Sequence, residues 1–290
     1  MKISVSSYSF EQKIRSGELS QLDCVKKAKE MGFDAIELVG ILAPEGTSRE
    51  AYADLLREEC EREGLPISNY TVAADFLGGS GGDLDAEVER VCGEVDMAVR
   101  LGAVSMRHDA GWGIPAGSPS HWGFADVLPR MAEGCRRVTD YAAACGVRTM
   151  CENHGFFAQD SERVEQLVRA VGRENFGLLA DMGNFLCADE PPALAFGRIA
   201  PYVRYVHAKD FIVRSGERPD PGEGFIQTRG GNRLRGTIVG HGDVPVVPCL
   251  SVLKNAGYDG YVALEFEGPE DAYTALRIGL CNLRRYIAQL

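Results

Sequence analysis

The chain predicts a (β/α)8 barrel, a TIM barrel, formed by residues 1–290 as a single domain. Short apolar runs of strand character alternate with segments whose apolar residues recur at helical spacing, and this pair of patterns occurs eight times. The units follow one another at roughly 30 residues, the length of a strand with its helical crossover. Eight units in 290 residues fit a closed barrel better than an open doubly wound sheet, which is the alternative fold.

The predicted strands are short runs bounded by turn residues or by the start of a helix. The second strand, Ala35–Val39, reads AIELV, and the fifth reads VRTMCEN. In chain order the strands are Ile3–Phe10, Ala35–Val39, Pro66–Asp75, Val104–His108, 147–153, Phe176–Asp181, Val203–Lys209 and Gly260–Glu267.

The predicted helices carry apolar residues on one face and several of them stop at a glycine. Gly32, Gly64, Gly102 and Gly146 each follow a helical run, where a left-handed residue commonly ends a helix. Asp83 opens a long helix as its N-cap. In chain order the helices are Leu19–Met31, Ser48–Glu63, Asp83–Leu101, His121–Cys145, Ser161–Val171, Ala193–Ile199, Pro245–Ala256 and Pro269–Ile287.

Composition excludes several classes of function. The chain has 31 basic and 42 acidic residues and a net charge of −11, which argues against a general nucleic-acid-binding surface. No Gly-x-Gly-x-x-Gly follows the first strand, so the usual dinucleotide fingerprint is missing. The glycine-rich stretch 78–82 lacks the Lys-Ser/Thr of a phosphate-binding P-loop.

Cysteine usage and hydropathy indicate the compartment. The nine cysteines form no CxxC pair, which is typical of reduced thiols rather than a disulfide scaffold or a zinc knuckle. The start MKISVSSYSF has no apolar signal core, and no run approaches the ~18 apolar residues of a membrane span. We expect a cytoplasmic protein without a membrane partner.

One connection is unusually long. Residues 211–240 follow the seventh strand, and in a barrel they would overhang the face where the chemistry lies. The segment is expected to act as a lid, a phosphate clamp or a subunit contact, with a solvated excursion as the alternative. It contains five arginines: Arg214, Arg218, Arg229, Arg233 and Arg235.

Four acids and bases stand at the ends of four successive predicted strands. They are Glu152 in TMCENHG, Asp181 in GLLADMGN, His207 in VRYVHAKD and Glu265 in YVALEFEG. The C-terminal ends of barrel strands meet at one face, and the period of two along a strand selects the inward side chains. Three carboxylates and one imidazole suit a single Mn²⁺, Mg²⁺ or Co²⁺ ion and can also hold Zn²⁺. Taken singly, each residue has the alternative of a helix cap, an ion-pair partner or a core histidine.

Further residues are candidates for substrate contacts, each with a structural role as the alternative. His154 lies two residues beyond Glu152 and is expected to bind a substrate hydroxyl or to orient a metal ligand. Lys209 would stabilise negative charge on a substrate oxygen, and Trp112 would cover one face of a sugar. The full set is Glu37, His108, Trp112, His154, Lys209 and Arg214.

The chain resembles the xylose isomerase-like TIM barrels, often called sugar phosphate isomerase/epimerase, and most closely their ketose 3-epimerase and inosose dehydratase branches. The resemblance covers essentially the whole chain and implies that Glu152, Asp181, His207 and Glu265 bind one divalent metal ion. The matching stretches are CENHG (151–155), NFGLLADMGNF (175–185), VHAKDF (206–211), GHGDVPV (240–246) and AGYDGYVALEFEG (256–268).

The resemblance also implies an activity. In the epimerases the glutamates that match Glu152 and Glu265 serve as acid and base, which implies a sugar, keto-sugar or cyclitol isomerase or epimerase working through a metal-stabilised enediolate. Loss of a β-hydroxyl from the same enediolate would give a dehydratase of the inosose or 3-dehydroshikimate type. A non-catalytic sugar-binding barrel is the remaining alternative.

Two departures from the family narrow this expectation. Asn184 stands where the three-metal repair endonucleases and some ketose 3-epimerases have a histidine, and the arginine that those epimerases place after strand seven is matched only loosely by Arg214. We therefore expect one metal ion rather than three and no nucleic-acid partner. Fold analogy gives a homodimer or homotetramer acting on a small-molecule substrate.

Overall fold

Eight parallel strands close into a barrel in the computed structural model, which describes residues 1–290. The first strand pairs with the second on one side and with the last on the other, and this pairing closes the ring. The predicted (β/α)8 fold is thereby confirmed. The barrel strands are β1 (Lys2–Ser6), β2 (Ala35–Val39), β3 (Ile67–Val72), β4 (Ser105–His108), β5 (Arg148–Glu152), β6 (Phe176–Asp181), β7 (Val203–Ala208) and β11 (Tyr261–Leu264).

Helices surround the barrel, and none of them combines the length and the apolar character needed to cross a membrane. Asp83 caps α4 as predicted, because its carboxylate accepts the backbone N–H of Ala86. Gly102 ends the same helix at φ +74°, a left-handed conformation that favours glycine. The helices are α1 (Glu11–Arg15), α2 (Gln21–Met31), α3 (Arg49–Glu63), α4 (Leu84–Leu101), α5 (Phe124–Ala144), α6 (Ser161–Val171), α7 (Pro192–Ile199), α8 (Val246–Asn255) and α9 (Ala272–Ala288).

Several strands end earlier than predicted, and the first and the last of them affect the site. The first strand was expected to run to Phe10, but it ends at Ser6 and a 3-10 helix, Ser7–Phe10, follows. The last strand ends at Leu264, so Glu265 lies just past the strand and not within it. Both differences place side chains of these connections at the C-terminal face of the barrel.

The barrel interior is layered on the side formed by β5, β6, β7 and β11. One small apolar cluster in the interior consists of Met150, Leu179, Tyr205 and Ala263. Each member lies two residues before one of the four strand-end acids and bases identified above. Because side chains alternate along a strand, the apolar layer supports a polar layer directly above it. The larger apolar core lies outside, between the strands and the helices.

Residues 211–240 contain secondary structure of their own. Three antiparallel strands, β8 (Asp210–Arg214), β9 (Ile226–Gln227) and β10 (Arg233–Thr237), form a small sheet in the order β8-β10-β9. Arg229 ties this sheet to the start of α6, since its guanidinium lies 2.7 Å from the carboxylate of Asp160. The segment is therefore folded against the barrel, and its role as lid or subunit contact stays a prediction.

Candidate active site

The four strand-end side chains converge in space. Their ligand atoms, one from each residue, all lie within 4.8 Å of one another, and all four residues are buried. We call Glu152, Asp181, His207 and Glu265 the strand-end cluster. Three carboxylates and one imidazole thus surround a single point at the C-terminal face of the barrel.

His207 faces this point with a nitrogen that has no hydrogen-bond partner. Its Nδ1 lies 3.4 Å from a carboxylate oxygen of Glu265 and 3.7 Å from an oxygen of Asp181. That Nδ1 and the Oδ2 of Asp181 are both buried and both lack a hydrogen bond. Buried polar atoms without partners are rare, and this set of donors is the one that a divalent cation takes. The residues of the strand-end cluster therefore fit a Mn²⁺, Mg²⁺, Co²⁺ or Zn²⁺ ion.

The second nitrogen of the His207 ring is held from behind. Its Nε2 lies 2.6 Å from the Oε2 of Glu37, which is itself fully buried. The other oxygen of Glu37 accepts hydrogen bonds from Asn69 at 2.8 Å and from Thr71 at 2.6 Å. This network keeps a proton on Nε2 and turns Nδ1, whose proton a bound metal ion would displace, toward the cluster. Glu37 was expected to contact substrate, whereas the structure places it behind the His207 ring.

Glu152 is held at both oxygens. Its Oε1 accepts a hydrogen bond from the Asn184 side chain at 2.9 Å, and its Oε2 lies 2.8 Å from the Nε of Arg107. Burial alone would raise the pKa of Glu152, but the charges of Arg107 and His207 lower it to about 2. The carboxylate is therefore ionised and its orientation is defined.

Glu265 has a different environment, dominated by Lys209. The Nζ of Lys209 lies 2.7 Å from Glu265 and 3.3 Å from Asp181. Burial opposes ionisation of Glu265, yet the charges of His207 and Lys209 hold its pKa well below the usual range. Burial likewise opposes the charge of Lys209, but Asp181 and Glu265 raise its pKa well above the usual value. Lys209 is thus an ammonium group directed into the cluster, and its predicted role toward a substrate oxygen stays a prediction.

A cavity of about 180 Å³ opens above the cluster. The Tyr8 hydroxyl lines it in the protonated form, because burial and then the charge of Glu267 raise its pKa to about 12. The cavity therefore offers a neutral hydrogen-bond donor beside the carboxylates of Glu152 and Glu265 and the ammonium group of Lys209. Its walls are Glu152 and Glu265 of the cluster together with Tyr8, Val39, Thr71, Arg107, His154, Lys209 and Glu267.

Of the other predicted substrate contacts, some lie at the cavity and others do not. His154 lines the cavity, and its Nδ1 lies 3.0 Å from the carboxylate of Asp109. The indole of Trp112 packs edge-on against the His154 ring, with 5.3 Å between centroids, at the rim of the cavity. Arg214 lies at the end of β8, where its guanidinium donates to the backbone of Val213, and it does not line the cavity.

His108 points away from the cavity. Strand β4 directs Arg107 into the barrel, so the next residue faces outward toward α5. There the fully buried ring of His108 lies beside Cys135 and Cys151, a second group of potential metal ligands outside the barrel. The expectation that His108 contacts substrate is therefore not supported by its position.

Arg107 and Tyr8 line the cavity and are absent from the predicted contacts. Ser105 points into the barrel, where its hydroxyl donates a hydrogen bond to Asn69 at 2.7 Å. Because side chains alternate along a strand, Arg107, two residues later on β4, also points inward. No comparable signal identifies Tyr8, because it belongs to the 3-10 helix that follows the first strand. Its position depends on where that strand ends.

A larger cleft lies elsewhere on the surface. It measures about 730 Å³ and runs between α2 and α9, lined by charged and apolar side chains such as Lys27, Glu30 and Tyr273. It contains no group of buried acids and bases. The smaller cavity over the strand-end cluster is therefore the candidate active site.

Comparison with known proteins identifies the family. The model of the family described as xylose isomerase-like TIM barrel matches residues 25–284. An inosose dehydratase of Lacticaseibacillus casei is 26% identical over 144 residues, which span 49% of this chain and 48% of that relative. The chain thus matches about half the length of this curated relative.

Solved structures share the fold over nearly the whole chain. The probable 3-DHS dehydratase of petrobactin synthesis from Bacillus anthracis has a TM-score of 0.73 at 19% identity, covering 98% of this chain and 99% of that one. An L-ribulose 3-epimerase has a TM-score of 0.73 at 15% identity, covering 99% and 95%. At these identities the likeness shows the fold alone. Since the family match extends from α2 through β11 into α9, the chain belongs to the xylose isomerase-like TIM barrels.

Proposed function

We propose that this protein is a divalent-metal-dependent epimerase or isomerase that moves a proton on the carbon next to the carbonyl of a sugar, keto-sugar or cyclitol. The observation that supports this most strongly is the buried, unpartnered Nδ1 of His207 facing three carboxylates below a cavity. The strand-end cluster would hold the ion. When bound, such an ion polarises a substrate carbonyl and stabilises the negative charge that develops on its oxygen.

Glu152 and Glu265 are the proposed proton carriers. Both line the cavity, and they come from β5 and the end of β11, which are separated in the barrel by β6 and β7. A substrate between them would present one face to each carboxylate. One glutamate would remove the proton, and the other would return a proton to the opposite face, inverting the carbon centre. Return of the proton to the neighbouring carbon would give the isomerase outcome.

The groups around the two glutamates have separate roles in this proposal. Arg107 and Asn184 hold the oxygens of Glu152, so that its orientation does not change between turnovers. Lys209 lies between Glu265 and Glu267 and can donate a hydrogen bond to a substrate oxygen that gains negative charge. Tyr8 supplies a second donor on the same wall.

A dehydratase is the second candidate, and a specific observation favours it. His154 lines the same cavity with Asp109 on its Nδ1, which leaves Nε2 for a substrate group. A third acid–base group is not needed for epimerisation, but it could protonate a leaving hydroxyl after the first proton has been removed. Curated relatives named inosose dehydratase also support this candidate, and the match to each covers about half of the relative's length.

Deuterium exchange tests the proposal. The protein loaded with Mn²⁺ would be incubated in D₂O with ketoses, keto-glycosides, cyclitol ketones and their phosphates, and followed by NMR. Deuterium at a carbon beside the carbonyl supports the proposal, and an enone absorbance that grows in parallel identifies the dehydratase. Binding of a sugar without exchange on any compound would instead indicate a non-catalytic sugar-binding barrel.

A further inference from the structure

A second cleft lies beside the catalytic cavity and has no part in the chemistry described so far. It measures about 310 Å³ and is formed by residues 73–80 after β3, by the first turns of α4 and by Trp112. The walls of the two spaces are close to each other. Thr71 lines the cavity and Ala73 lines the cleft, while Trp112 of the cleft touches His154 of the cavity.

Trp112 is held in place by its neighbours on the cavity side. Gly155 has a φ of +77°, and a Cβ on it would come within 2.8 Å of the indole ring. The absence of a side chain there allows the indole to lie directly on the backbone of this loop. Trp112 nevertheless remains 45% exposed, and this open part of the ring borders the cleft.

The wall of the cleft is a preformed polar structure. Glu87 is 2% exposed, and its carboxylate accepts the backbone N–H of Asp75 at 3.0 Å and the Ser80 hydroxyl at 2.7 Å. The guanidinium of Arg90 donates a further hydrogen bond to the Glu87 carboxylate, at 2.6 Å. Ser80 is held at φ +50°, a left-handed conformation that non-glycine residues rarely adopt and that clusters at ligand sites.

The charge of the cleft selects against an anionic ligand. Arg90, the one cation that lines it, is neutralised by Glu87, and none of the five arginines of residues 211–240 lines either space. Asp75 is partly exposed and uses one carboxylate oxygen for the backbone N–H of Leu77, which leaves its other oxygen for a hydroxyl group. An aromatic face beside a carboxylate and a serine fits a neutral polyhydroxylated ring, whose C–H edges pack on the electron-rich indole.

We propose that the second cleft binds a second ring of the substrate, so that the substrate is a neutral glycoside with its reacting keto-sugar ring in the catalytic cavity. This inference rests on the proposed function. Ligand sites commonly occupy about 300–1,000 Å³. The catalytic cavity, at about 180 Å³, falls below that range, and the second cleft supplies about 310 Å³ beside it.

Calorimetric titration of the metal-loaded protein tests the inference without requiring turnover. The probes are glucose, the neutral disaccharides cellobiose, maltose and trehalose, and glucose 6-phosphate. At least one disaccharide is expected to bind with a Kd lower than that of glucose by about tenfold or more, since burial of a second ring adds contact area. Equal affinity for glucose and for every disaccharide, or tighter binding of glucose 6-phosphate, would overturn the inference.

Variants of the cleft test whether it is the source of the disaccharide preference. Trp112→Ala is expected to abolish that preference, and Ala73→Trp, at an exposed position of the rim, is expected to do the same by filling the cleft. Trp122→Ala is the matched control, because Trp122 is the other tryptophan of the chain and is 38% exposed outside the cleft. A preference that survives both cleft variants, or that is also lost in the control, contradicts the inference.

The outcome is distinguishable from failure of the proposed function. Deuterium exchange into a monosaccharide ketone with no disaccharide preference would leave the proposed function standing and remove the second-ring site. Trp112-dependent binding of a disaccharide with no exchange on any ketone would support the second-ring site and remove the proposed chemistry.

Discussion

The Nε2 of His207 on β7 lies 2.6 Å from the Oε2 of Glu37 on β2, two strands that are not neighbours in the barrel. This contact crosses the interior below the cavity. It keeps a proton on Nε2 and turns Nδ1 toward the carboxylates of Glu152, Asp181 and Glu265. The metal-binding geometry that we infer therefore depends on a residue that would not touch the ion.

Replacement of Glu37 by Gln is expected to weaken metal binding. The substitution keeps the shape of the side chain but removes the negative charge that holds the Nε2 proton, and loss of such a partner typically costs about 10–100-fold in affinity. Competition with a fluorescent chelator would measure the change. Glu94→Gln is the matched control, because Glu94 is also buried and paired, with Arg49 and Tyr70, far from the cluster. Equal losses in both variants would contradict the role given to Glu37.

Glu152 and Glu265 are expected to have different roles in the reaction, one removing the substrate proton and the other returning a proton. Glu152→Gln and Glu265→Gln should each lower kcat by roughly 10²–10⁴-fold, the usual contribution of a positioned acid or base. The variant that lacks the returning acid should still exchange the substrate proton with D₂O while forming no product. Metal content measured on each variant controls for loss of the ion. Normal turnover in either metal-loaded variant would remove that residue from the mechanism.

Strand alternation predicted the strand-end cluster correctly because each member follows an apolar residue at spacing two, as Met150 precedes Glu152. Elsewhere the same rule needs one residue of the strand whose inward direction is known. His108 is a predicted substrate contact, whereas its neighbour Arg107 points inward and contacts Glu152. Neighbours along a strand face opposite sides, so an error of one residue exchanges a cavity residue for a core residue.

Other features depend on contacts between distant segments that no local pattern encodes. The role of Glu37 follows from its approach to His207 across 170 residues of sequence. The small sheet forms because β10 pairs with β8 across a long connection that contains only the two-residue strand β9, and the sequence pattern of one segment does not reveal that pairing. The cleft beside Trp112 similarly results from the loop after β3 meeting the loop after β4.

Substitution of Gly134 in α5 by a larger residue is expected to destabilise the fold. A Cβ at this position would overlap the ring of Phe76, so Gly134→Ala should lower the free energy of unfolding by about 1–3 kcal/mol. Gly93 in α4 is the matched position, since a Cβ there meets nothing within 4 Å, and Gly93→Ala should stabilise the protein by up to about 1 kcal/mol. Urea denaturation would compare them. Stabilisation by both substitutions would contradict the close packing of α5 on Phe76.

Glu87 is expected to contribute stability that depends on pH. Burial alone would raise its pKa, but hydrogen bonds from Arg90, Asp75 and Ser80 lower it below the ordinary value. A carboxylate with a lowered pKa stabilises the fold in full above its unfolded pKa of about 4.3 and loses this contribution as the pH falls through the folded pKa. Glu87→Gln should therefore be less stable at neutral pH and should lose less stability on acidification. Urea denaturation across that range checks this, and identical pH slopes for both proteins would contradict it.

The central claim is that the strand-end cluster binds one divalent ion. Anomalous X-ray scattering from a crystal soaked in Mn²⁺ tests it most directly. We predict a single anomalous peak per chain, located between the Nδ1 of His207 and the carboxylates of Glu152, Asp181 and Glu265, and no such peak in a His207→Ala crystal. An occupied manganese position elsewhere with none at the cluster, or a peak that persists at the cluster in His207→Ala, would contradict the account.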